Sequence, residues 1–544
     1  MARGDRQYAV SKLFSKWFVD NKGTNRVPEE YAEDLRNVRI INNGISVRPW
    51  YRVEYEGTWT AGIQAITSNS VRNDLVYVYN NELYTYNFTT GTSTGSFSLG
   101  FSSSFATVSW TVPTTNNGSV WTGTFYSLIN HGQYTIILTN NSNPYVWDGA
   151  SLTQPSDILA GANPWFGARF AGFTVVENKV QSNTLLLSNP VTAAAPENAF
   201  DWNGGGAETL IFESKVVGAK GTTNNLWVFT ETQIEYLGRW NISNTGGVTS
   251  IFTVPLSSGY GIDNNNVIVP AGDTVFFYTK SKQIGTVNYR QDVIEPQVNI
   301  ISDDAGVSIQ RFLDNVIDDD QSNAFGIYDR KQNLVKRSFR TNNSDVNDVI
   351  LIYDIINRTF LIDDNKNFSS GIVHNERYYM GSATSQVIFE DEIWTSDVWQ
   401  GINWYYQTQN LVFDKPPQQS VLWKNSVIGG QISLQTEIDR EIRADNKTIF
   451  NDTIRGTDFA SNEEIDGIGT APIGSQPIGG DIEFIPDLQD FEREASRWRL
   501  RATGRKIRHR RSGNSLNGDF VLDYMTMVGL PRNRTATRIK TFSR

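Results

Sequence analysis

Two short apolar strands joined by a tight polar turn return about every 50 residues through the middle of this 544-residue chain. The cassette reads LVYVYNNELYTYNF at 75–88, YTIILTNNSNPYVWDG at 134–149, LWVFTETQIEYLG at 226–238, TVFFYTKSKQIGTVNY at 274–289, FGIYDRKQNLVKRSF at 325–339 and YYMGSATSQVIFED at 378–391. A weaker copy, FTVVENKVQSNTLLLSN, occupies 173–189. Turn centres near Asn80, Asn141, Val180, Glu231, Ser281, Lys331 and Ala383 are separated by 61, 39, 51, 50, 50 and 52 residues. Hairpins recurring at this interval predict a β-propeller of four-stranded blades, about six of them within a range of five to seven.

The strand chemistry agrees with that architecture. Val349-Ile350-Leu351-Ile352-Tyr353 is apolar at successive positions rather than alternating, as expected when a sheet is covered on both faces by neighbouring blades. Between 325 and 363 two hairpins follow one another, FGIYDRKQNLVKRSF and VILIYDIINRTFLID, and together they make one blade. Aromatic residues at 12% and 44 glycines, against 19% charged residues, suit many short strands linked by glycine and asparagine turns.

Three regions are expected. Residues 1–34 form a leader with a short helix, because Val27-Pro28-Glu29-Glu30 offers a proline and an acidic first turn before Tyr31-Ala32-Glu33-Asp34-Leu35. Residues 35–392 form the propeller, and within it NVRIINNGISVRP at 37–49 reads as a hairpin that supplies the strand closing the ring. Residues 393–544 form a second, sandwich-like β-domain in which longer strands are interrupted by Pro416-Pro417. Its tract at 455–480 has too few bulky apolar residues for a core and reads as an extended, partner-contacting loop.

Composition removes whole classes of chemistry. There is no cysteine, so disulfides, thiolate metal sites and cysteine nucleophiles are excluded. The three histidines, His131, His374 and His509, are scattered outside any HExxH or HxH spacing and read as ordinary turn or strand residues. No phosphate-loop pattern, signal-peptide core or membrane-length apolar run occurs, so a soluble protein made in the cytoplasm, with no cofactor, is expected. Charge is unevenly placed: residues 489–544 carry 12 Arg and 2 Lys against 5 acids, a net of +9, which leaves −19 on residues 1–488 of a chain whose total is −10.

The acidic runs Asp303-Asp304, Asp318-Asp319-Asp320 and Asp363-Asp364 are the other candidates for chemistry. Paired carboxylates serve glycoside hydrolysis and grouped oxygens bind calcium, but these runs lie in predicted turns, where Asp bonds its own backbone. The Asp boxes of sialidases and the per-blade signatures of WD40 and kelch repeats are missing, with one Trp147-Asp148 and one Gly204-Gly205-Gly206 only. The interleaved Arg497-Trp498-Arg499 reads as an edge strand with outward arginines more readily than as a nucleic-acid clamp. A catalytic role is therefore not expected. A carbohydrate-binding or glycan-hydrolysing propeller and a generic propeller scaffold remain the competing readings.

Four stretches carry a family resemblance: YAEDLRNVRIINNGISVRP (31–49), LWVFTETQIEYLG (226–238), TVFFYTKSKQIGTVNY (274–289) and INWYYQTQNLVFDKPPQQSVLWKNSVIGG (402–430). With them the chain resembles the tail nozzle proteins of short-tailed bacteriophages, also called tail tubular protein B or packaged-DNA stabilisation proteins. Many relatives place a glycine after the Arg-Pro pair, where this chain has Trp50 after Pro49. The resemblance implies a virion ring, a homohexamer docked below the portal and its adaptor ring, that extends the DNA channel, retains the genome and carries fibres or spikes. An acidic lumen would let DNA slide without sticking. On this reading Arg497, Arg499, Arg501, Arg505, Lys506, Arg508, Arg510 and Arg511 make a ring contact with an acidic neighbour.

Overall fold

A computed structural model describes residues 8–531 with interruptions, the longest at 18–30, 99–125, 392–401, 409–420 and 459–487. Pro416-Pro417, Asp318–Asp320, Arg497, Arg499, Arg501, Arg505 and Lys506 lie outside the described residues, as do the expected helix start at 27–30 and most of the 455–480 tract.

The propeller is present, and the described residues form seven blades, one more than the best count from the sequence and within its range. Six free-standing four-stranded sheets are joined by a seventh, Phe325–Asp329, Leu334–Phe339, Val349–Asp354 and Thr359–Asp364, which begins a ten-stranded sheet. The first strand of each blade lies innermost. In ring order these are Ile63–Asn69, Tyr126–His131, Gly167–Phe170, Val216–Gly221, Val269–Ala271, Phe325–Asp329 and Phe368–His374, each beside the next, and the last returns to the first. All seven cassettes, the weak copy included, map onto separate blades. Most are the second and third strands of a blade, whereas FGIYDRKQNLVKRSF is the first and second of blade six.

Local chemistry explains the turns. Asn69, Asn87, Asp148, Asn178, Asp329 and Asp354 each accept two backbone N–H groups from residues two and three further on. These side chains substitute for a missing backbone bond and fix the hairpin. Between the blades, apolar side chains close the gaps: Ile63, Leu75 and Tyr77 of blade one are buried with Tyr379 of blade seven, and Trp227 and Phe229 of blade four with Val275 and Phe277 of blade five.

The ring closes differently from the sequence expectation. Trp50–Glu56 is the outermost strand of blade seven and pairs antiparallel with Gln386–Asp391, Trp50 opposite Asp391. The hairpin expected to close the ring does form, with Val38–Ile41 against Gly44–Val47, but it belongs to the second domain, where Ser46 and Ile45 pair with Val521 and Leu522. Trp50 thus marks the crossing from one domain to the other. The expected helix is also corrected: Tyr31–Arg36 is a strand, paired antiparallel with Asn403–Thr408. Its helix-favouring Ala, Glu and Leu are overridden by the partner strand that lies beside it.

Two sheets build the second domain. One contains Phe520–Pro531, Val421–Ser433, Leu488–Ala495, the 38–47 hairpin, Tyr8–Leu13 and Thr503–Gly504. The other is the continuation of blade six: Tyr31–Arg36 meets Ile362 through a parallel bridge at Arg36, then Asn403–Thr408, Ile507–Asn514, Glu437–Ala444 and Lys447–Arg455 follow in order. Ile428 and Ile432 of the first sheet and Ile438, Ile442, Phe450 and Ile454 of the second share one buried cluster with blades five to seven. No described helix is long and apolar enough to cross a membrane.

Candidate functional site

The joint between propeller and second domain holds a cluster of buried charge. Asp363 ends the apolar run Phe360-Leu361-Ile362 on the outer strand of blade six and is fully buried. Its two carboxylate oxygens accept from Arg39 Nη1 at 2.8 Å and Nη2 at 2.7 Å, and Arg48 Nε lies 4.0 Å away. Burial works to raise the Asp363 carboxyl, but the Arg39 guanidinium, aided by Arg48 and Lys336, carries it below the ordinary carboxylate range. Two oxygens matched to two N–H groups give the pair its orientation as well as its attraction.

Asn37 ties this pair to both domains. Its backbone takes φ +55°, a conformation that asparagine tolerates better than most residues. Its N–H donates to Ile362 O at 2.8 Å, and its Nδ2 donates to Asn403 O at 2.7 Å. Its Oδ1 accepts from Asp364 N at 3.0 Å and Arg48 Nε at 3.2 Å. One side chain therefore links blade six, Arg48 just past the 38–47 hairpin, and the strand Asn403–Thr408 of the second domain. Such a joint resists bending because each movement would strand a buried polar group.

Of the eight basic residues read as one contact surface, three are described, and the strand period divides them. On Ile507–Asn514 successive side chains face opposite ways. Arg510 is outward, 3.9 Å from Glu441 and 4.8 Å from the centre of the Tyr405 ring. Arg508 stands opposite Arg443 on the same face. Arg511 is turned inward and fully buried, opposite the equally buried Arg440 and 5.7 Å from the Tyr406 ring. Arg440 is fixed by Asp452 through Nε and Nη2, both at 2.8 Å. Burial pushes Arg511 down to about 10. Arg511 is a core residue of the domain, so it is removed from the surface set.

The remaining sequence candidates disperse. Asp363-Asp364 lies in a strand rather than a turn, and Asp303 and Asp304 end the short helix Ile301–Asp304. Among the described residues no group of three or more His, Asp or Glu side chains is placed to hold a metal. His131 and His374 occupy the same position in the repeat, the last residue of an inner strand, and each bonds to the next blade: His131 Nδ1 to Thr174 Oγ1 at 3.0 Å, His374 Nε2 to Asn73 Oδ1 at 3.2 Å. Burial, with Arg169 adding, lowers His131 to about 4, and burial also lowers His374. Both act as neutral spacers between blades. On blade three, Glu177 is buried, accepts from the Trp165 N–H at 3.3 Å, and is pushed by burial up to about 7.

Sequence reasoning passed over Asn37, Arg39 and Arg48. A detectable signal was present: a charged residue inside an apolar strand, as in Phe360-Leu361-Ile362-Asp363 and Val38-Arg39-Ile40, requires a counter-charge when the strand is buried.

No protein-family model and no curated protein matches the sequence. Solved structures that resemble the chain include BamB from Moraxella catarrhalis, at 10% identity and TM-score 0.35 over 66% of this chain and 94% of that one. The computationally designed Ika8 protein matches at 10% identity and TM-score 0.34 over 61% of this chain and 96% of its own. A chain of the mitotic checkpoint complex matches at 10% and 0.36 over 68% and 95%.

Proposed function

We propose that this chain is a non-enzymatic structural subunit of the tail nozzle of a short-tailed bacteriophage. It would assemble in the host cytoplasm into a homohexameric ring below the portal adaptor, extend the DNA channel, retain the packaged genome and present its outer surface to fibres or spikes. The observation that carries this reading is the sheet that passes from blade six into the second domain through the Arg36–Ile362 bridge, clamped by Asn37, Arg39 and Asp363. A subunit that must bear the pressure of packaged DNA needs domains that do not hinge, and a shared sheet locked at its bridge by a buried charge clamp favours that. The split between a −19 body and a +9 end gives the ring a weakly DNA-repelling mass and a basic docking region.

The test is reconstitution. Purified chain mixed with a portal–adaptor complex from a short-tailed phage virion should form a single six-fold ring on the adaptor, seen by image reconstruction. Absence of the chain from virions in which its gene is expressed, or saturable binding and cleavage of polysaccharide, would overturn the proposal.

A further inference from the structure

Blade six holds a buried guanidinium that no anion among the described residues balances. Arg337 lies on the strand Leu334–Phe339, opposite Gly326 of the inner strand and Leu351 of the third, and is 2% exposed. Its Nε and Nη2 have no hydrogen-bond partner. Those two donors form one edge of the guanidinium, the fork that matches two oxygens of a single oxyanion. The same fork on Arg440 is filled by Asp452 at 2.8 and 2.8 Å.

Among the described residues the neighbourhood offers stacking but no acceptor. The Arg337 guanidinium lies 5.9 Å from the centre of the Phe276 ring in blade five. Burial pushes Arg337 down to about 9. The adjacent cation, Lys336, faces the other way and is compensated by Asp329 at 3.0 Å. Gly326 is required for the arrangement, because a Cβ there would lie 3.2 Å from Arg337 Cγ and would also meet Val269. Further donors lie on the turn Asn265–Val267, which packs against the same inner strand. The Nδ2 groups of Asn264 and Asn265 are buried without an acceptor. Their amides cannot be reversed, since Asn264 Oδ1 accepts from Asn266 N at 2.7 Å and Asn265 Oδ1 from Ala219 N at 3.0 Å. Unmatched donors thus sit on both elements flanking the strand that carries Gly326.

We propose that the seam between blades five and six is a binding site for one small oxyanion, a phosphate or a carboxylate, held through the Nε/Nη2 edge of Arg337. An isolated buried cation is strongly disfavoured, and a bound oxyanion removes the penalty by supplying both charge and acceptors. This inference is independent of the role proposed above.

Thermal unfolding of the full chain in buffered sodium chloride, titrated at constant ionic strength with sodium phosphate or with sodium acetate, tests it. The wild-type Tm should rise saturably with one or both oxyanions, and the one saturating at lower concentration identifies the preferred head group. Arg337→Met, which removes the charge, should abolish the saturable rise. Arg337→Lys, which keeps the charge but not the fork, should weaken the apparent affinity at least tenfold and serves also if the Met variant does not fold. No rise beyond the chloride control, the same rise in Arg337→Met, or unchanged affinity in Arg337→Lys would overturn the site.

Discussion

Arg39 and Asp363, 324 residues apart in sequence, form a two-pronged ion pair at 2.8 and 2.7 Å that clamps blade six to the second domain. Removing one partner leaves the other charged and buried. Asp363→Leu should therefore lose about 3–5 kcal/mol of stability, whereas the double variant Arg39→Met/Asp363→Leu should recover part of it, with Arg48 still buried beside the site. Chemical unfolding of the four proteins of the cycle reads both values. Because the folded pKa of Asp363 is depressed, its contribution is present above the unfolded value of about 4 and is lost as pH falls below it.

Arg510 and Arg511 are neighbours with opposite fates. Arg510→Glu removes one partly exposed ion pair and should change stability by about 1 kcal/mol or less, leaving a native circular dichroism spectrum. Arg511→Glu places a carboxylate in a fully buried site and should abolish soluble expression or lower Tm sharply. If docking to an adaptor ring uses the outward face, Arg508→Glu/Arg510→Glu should impair it while the chain stays folded. Normal docking by that variant would remove the face from the contact.

Gly513 packs beneath the Trp404 ring. A Cβ at that position would lie 2.5 Å from Glu437 O and 2.8 Å from Trp404 Nε1, so backbone and ring would both have to move. Gly513→Ala should destabilise the chain by about 1–3 kcal/mol. Near-ultraviolet circular dichroism should report a displaced tryptophan, and an unchanged spectrum with unchanged Tm would show that the sheet yields freely there.

Glu177 carries a pH dependence near neutrality. Its folded pKa, about 7, exceeds the unfolded value of about 4.5, so the folded state is favoured most below 4.5 and loses stability as pH rises to 7. The full loss is at most about 3 kcal/mol. Glu177→Gln should remove this slope and raise Tm at pH 8 relative to wild type while leaving it little changed at pH 4.5. A parallel shift at both pH values would refute the assignment.

The propeller was legible because its signal is local. Each cassette lies within about 15 residues, pairs two short strands rich in β-branched and aromatic residues, and turns through polar residues such as Asn178 and Asp329, which bond to their own backbone. The best blade count was one short although the seven hairpins, the weak copy at 173–189 included, each mark one blade. The site was less legible. Strand alternation could have separated Arg510 from Arg511, since adjacent residues on a strand cannot share a face. It could not have identified the strand that Ile507–Asn514 would pair with.

By itself the sequence determined an all-β repeat, ruled out cysteine chemistry and placed the charge. Tertiary structure decided which strand closes the ring, where the 38–47 hairpin goes, and that Tyr31–Arg36 is extended rather than helical. The physical reason is range. Turns and burial patterns are set by neighbours in the chain, whereas edge pairing and the burial of a charge are decided by whichever distant segment satisfies the exposed N–H, C=O or carboxylate. Asp363 could be recognised as needing a cation, but only the folded chain selects Arg39.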